Sequence, residues 1–184
     1  MPPRHSGFAL PELMIIVVLI GIVSATATIP VQRMQFERQR TALNSTVRDL
    51  GIWLDQVRSI AANGTVCTVT LTNNSSLAGG ATLASVSPAA CAVLGSTTLT
   101  IDGAAAAGPI GASPTPSGTL VISDSGVVLP ASTSSLNGFN ALEMRLSSTA
   151  ANLRRCVAIS DRTGSLRFGA ANTSNGTCSY TAPL

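Results

Sequence analysis

The chain has 184 residues, of which 10% are charged, with no lysine and a formal net charge of +3. That length holds one ordinary domain plus an appendage, and so small a net charge excludes a partner-binding face made by total charge alone, leaving only clustering. The single histidine, His5, sits in the polar leader MPPRHSG, so a mature chain without that leader has no His-dependent triad and no His-ligated metal.

The first predicted element is a helix. From Leu13 to Ile29 the stretch LMIIVVLIGIVSATATI carries no charge, and as a helix it measures about 26 Å, near the lower limit for crossing a bilayer. Glu12 stands at its head. An acidic residue costs roughly 2.5 to 3.5 kcal/mol at the centre of an inserted helix, and less near the ends. Something should compensate it. Two simple readings leave Glu12 unexplained: a plain membrane anchor, and a secretory signal with Arg4 as its basic start and Ala25-Thr26-Ala27 as its cleavage site.

Gly7, Phe8, Glu12 and the apolar run behind them, with Gly21 and Pro30 inside or just after it, resemble the N-terminus of type IV pilins and type II secretion pseudopilins. The resemblance implies that a prepilin peptidase cuts between Gly7 and Phe8 and methylates Phe8. Residues 1–7 would leave as a leader, and 8–30 would be kept as a transmembrane helix that becomes the filament core. Glu12 would then neutralise the free amine of Phe8 on a neighbouring subunit. Phe8 and Glu12 are four apart and share a helix face, and pairing in low dielectric offsets the desolvation that a lone charge suffers. Pro11 replaces the aliphatic residue of many members, and the first helical turn tolerates it.

Residues 31–63 read as an amphipathic continuation. Leu43, Val47, Leu50, Leu54, Val57 and Ala61 recur at steps of four and three, widened by Trp53 and Ile60. The run RMQFERQR reads as solvated, with lipid headgroup binding by Arg33, Arg38 and Arg40 as the less favoured alternative. Asn63-Gly64 supplies the stop.

In residues 64–184 the period changes to two. Short strands are expected at 65–71, 98–101, 119–123, 127–129, 141–146, 155–160 and 165–168, separated by turns such as TNNSS, SDSG and DRTG. The segment GAAAAGPIGASPTPSG, 103–118, reads as a surface loop. If Asp161 to Gly164 form a four-residue turn, Ser160 lies opposite Ser165. Val157, Ile159, Leu166 and Phe168 then share the inner face with Leu142, Met144 and Leu146. Arg154, Ala158 and Arg167 share the outer face, to which Glu143 and Arg145 also point. The expected fold class is therefore α+β and pilin-like, a long N-terminal helix packed on an antiparallel sheet. Within the superfamily the hairpin CVAISDRTGSLRFG resembles the GspH/FimT group, with Ser165 where some members carry an arginine.

Cys67, Cys91, Cys156 and Cys178 form no C-x-x-C pair, which suits disulfides in an exported domain better than zinc. Three pairings are open, and local stapling favours Cys67 with Cys91 and Cys156 with Cys178. No metal, cofactor or catalytic centre is expected: there is no H-E-x-x-H, no phosphate-cradling glycine loop and no cysteine with a spaced base.

Together the resemblance implies a structural subunit, a minor pilin or pseudopilin, of a type IV pilus or type II secretion pseudopilus. Its partners would be other pilins, the prepilin peptidase and an inner-membrane assembly platform. It would sit in the bacterial inner membrane as a single-pass protein with a periplasmic C-terminal domain before joining the fibre. Rival readings are a pilus-tip DNA-binding subunit using Arg154, Arg155, Arg162 and Arg167, poorly served by so few aromatic residues, and a plain anchored exported domain.

Overall fold

A computed structural model of the chain describes residues 10–102, 108–115, 118–130, 140–160 and 163–180, with side chains described there except at 10, 12, 22–32, 130, 140 and 141. Gly7, Phe8 and Arg162 lie outside these residues, as does the side chain of Glu12. The chain divides into two compact units, Met1–Glu37 and Arg38–Leu184.

Helix α1 runs Leu10–Ala61. In its C-terminal part Leu43, Val47, Leu50, Trp53, Leu54, Val57 and Ala61 are buried, as the 3.6-residue period requires of a helix with one face in a core. It ends at Ala61, and the turn beyond it closes at Gly64, whose φ of +101° is open to glycine and costly for other residues. There the amides of Gly64 and Thr65 both reach the Ala61 carbonyl.

The strands are β1 (Cys67–Leu71), β2 (Asn74–Leu77), β3 (Thr82–Ser87), β4 (Thr98–Thr100), β5 (Ile110–Thr115), β6 (Thr119–Ile122), β7 (Val128–Pro130), β8 (Asn140–Ser148), β9 (Leu153–Ser160) and β10 (Leu166–Ala171). They form two five-stranded antiparallel sheets, ordered β4-β3-β1-β6-β7 and β10-β9-β8-β5-β2. Apolar side chains of both sheets join the α1 stripe in one core, among them Val69, Leu83, Leu120 and Ile122 from the first and Leu142, Met144, Val157 and Ile159 from the second.

The expected fold class is corrected in two respects. The strands build two sheets, not one. Ten strands about 4.8 Å apart would be far wider than the roughly 10 Å that one helix covers, and dividing them lets both inner faces reach the same stripe. Second, no helix among the described residues is long and apolar enough to cross a membrane. The apolar part of α1 with described side chains is the stretch 13–21. The expected fold, one sheet under a helix with a transmembrane half, is therefore corrected to a helix with two antiparallel sheets and, among the described residues, no membrane-spanning helix.

The segment read as a surface loop at 103–118 contains β5, which lies between β8 and β2 in the second sheet. Ile110, Ala112 and Pro114 alternate inward. Small residues hid the alternation, and Pro114 stands beyond the end of the β2 pairing, where β5 pairs with β8 alone, opposite Met144.

Candidate functional site

The first candidate is the apolar run itself. Leu13, Met14, Ile15, Ile16, Val17, Val18, Leu19 and Ile20 are each between 44% and 68% exposed. Eight consecutive positions on a helix point in every direction, so the apolar surface is continuous around the axis. Leu13, Met14, Val17 and Val18 line a shallow apolar groove along it.

The second candidate is the arginine-bearing sheet. Its hairpin register places Leu166 opposite Ile159, Arg167 opposite Ala158 and Phe168 opposite Val157, and the Ser160 amide donates to the Ser165 carbonyl. Period two then separates the arginines. Arg145, Arg154 and Arg167 belong to the outer face. Arg155 belongs to the face turned to α1, opposite Leu146, and is 6% exposed. Its Nε donates to Asn44 Oδ1 at 2.8 Å and its Nη1 to the Arg154 carbonyl at 3.1 Å. Burial first, and Arg40 second, pull the guanidinium below its ordinary value.

The outer face is not open either. The C-terminal segment folds back across it: Ala170 and Ser179 exchange backbone hydrogen bonds, and Cys156 is bridged to Cys178. Arg154 Nη1 donates to the Gly176 carbonyl at 2.7 Å. Burial and then Arg145 lower the Arg154 guanidinium, against the pull of Glu143. Beneath this segment Glu143, expected to point into solvent, is 7% exposed and accepts from Arg145 Nε at 2.6 Å. Tyr180 has a buried hydroxyl to which no partner presents hydrogen-bond geometry. The nearby Glu143 carboxylate still acts on it electrostatically, adding to burial in raising its pKa. Glu143 also lies with the sulfurs of Cys156 and Cys178 in a cluster of metal-ligand type, but both sulfurs are committed to their disulfide. The other bridge joins Cys67 to Cys91.

Of the four arginines read as DNA contacts, Arg167 alone among the described ones is exposed. Asn44 carried no signal in the sequence, since its partner Arg155 comes from a distant element, and the burial of Glu143 depends likewise on the distant C-terminal segment that folds back across its face. Compared with protein-family models, with curated proteins and with solved structures, the chain matches none.

Proposed function

We propose that the chain is a structural subunit, a minor pilin or pseudopilin, of a type IV pilus or type II secretion pseudopilus, and that it assembles through its N-terminal helix. The observation that carries this is the collar of exposed apolar side chains from Leu13 to Ile20. Apolar surface on all sides of a helix is unfavourable in water. The G-F-x-x-x-E start directly before it selects the same run on other copies as the cover. Processing between Gly7 and Phe8 by a prepilin peptidase creates the amine that Glu12 neutralises. An inner-membrane platform hands the subunit on, with residues 64–184 on the periplasmic side. Head-to-tail contacts related by a rotation that does not close generate a fibre.

DNA uptake has less support, because Arg154 and Arg155 spend donors on Gly176 and Asn44 inside the domain. The test is a Glu12→Gln chain expressed at the wild-type level. Its recovery in sheared surface fibres should fall at least about tenfold, the equivalent of about 1.4 kcal/mol. Undiminished recovery overturns the proposal.

A further inference from the structure

We infer that Arg155 and Arg40 form a binding site for a phosphate group. Arg155 is covered, yet both of its hydrogen bonds go to neutral oxygens, Asn44 Oδ1 and the Arg154 carbonyl. A covered guanidinium ordinarily has an anion against it, because desolvating an unbalanced charge is costly. The ion pair on this sheet, Arg145 with Glu143, belongs to the opposite face and does not serve it.

Among the described residues the charge that acts on Arg155 has the same sign. Arg40 lies one helical turn before Asn44 on α1, and residues four apart share a helix face. It is exposed. Arg155 meets that face through its bond to Asn44, and Arg40 is near enough for its charge to act on Arg155. With Oδ1 committed to Arg155, the amide nitrogen of Asn44 remains a neutral donor.

One carboxylate balances one arginine in a bidentate pair. A phosphate offers more oxygens and up to two negative charges, and it suits the planar fork of Arg40 together with the Arg155 donors not spent on Asn44 and the Arg154 carbonyl. The same group is found as free phosphate and in an anionic phospholipid headgroup, so the chemistry is common to two sources.

The experiment uses the full chain in a nonionic detergent and titrates it calorimetrically with inorganic phosphate, with dihexanoyl phosphatidylglycerol, and with dihexanoylglycerol as the phosphate-free control. Saturable binding of either phosphate ligand supports the site. Phosphate alone identifies the free ion, and the lipid alone, without the control, identifies the headgroup. Arg40→Gln should weaken that binding at least about tenfold with an unchanged melting temperature, and Arg40→Lys should recover part of it. Because Arg40 is exposed, the variant tests the site without testing the fold. No binding of either ligand, equal binding of dihexanoylglycerol and the lipid, or wild-type affinity in Arg40→Gln would each overturn the inference.

Discussion

Gly118 precedes β6 at a point where a Cβ would lie 2.6 Å from the Leu71 carbonyl oxygen. A backbone atom held in a strand cannot swing aside as a side chain can, so Gly118→Ala should lower stability by about 1 to 3 kcal/mol, read from the denaturant midpoint. Tyr180 gives a prediction in pH. Its folded-state pKa is raised above the ordinary 10.0, chiefly by burial. The unfolded chain therefore releases that proton first, and stability should hold through neutral pH and decline above about pH 10. In Tyr180→Phe this part of the decline should vanish. Stability at pH 7 should change by no more than about 1 kcal/mol, since the hydroxyl is buried and loses only a poorly aligned contact with the Glu143 carboxylate. Neither residue is marked in the sequence. Gly118 resembles any loop glycine and Tyr180 any terminal tyrosine until another strand arrives beside them.

The lower part of α1 and the last hairpin were legible because each obeys one period over enough residues to set a face. Leu54 on the buried stripe and Ile52 two positions away separate the faces: Leu54 is 1% and Ile52 58% exposed. Leu54→Ala should cost about 2 to 5 kcal/mol, while Ile52→Ala should stay within about 0.5 kcal/mol. Equal effects in thermal unfolding would mean that the stripe is misplaced. In the hairpin, parity separates Arg155 from Arg154, which a count of nearby arginines could not do. The elements missed were β2, β3 and β5, namely NSSL, TLASVS and IGASPT. Serine, alanine and threonine give them little hydrophobic contrast, so their pairing comes from neighbours in the sheet and not from their own pattern. That is also why two sheets were read as one.

For the whole molecule, two disulfides staple the domain, and four cysteines without metal-type spacing were enough to anticipate bridges. Cys156–Cys178 closes a sequence separation of 22 residues and ties the C-terminal segment over Glu143 and Arg145. Changing both cysteines to serine should cost about 2 to 4 kcal/mol by relaxing the unfolded chain. It should also expose the Glu143 face, seen as faster amide exchange in β8 and β9. The apolar side chains at 13–20 are exposed in the single chain, and under the proposed assembly their cover would come from other copies. The most direct measurement is the N-terminal mass of the chain purified from cells that make the fibre. The account predicts a mature chain beginning at Phe8 with one added methyl group. A chain beginning at Met1, or at Thr28 after cleavage behind Ala27, would contradict it.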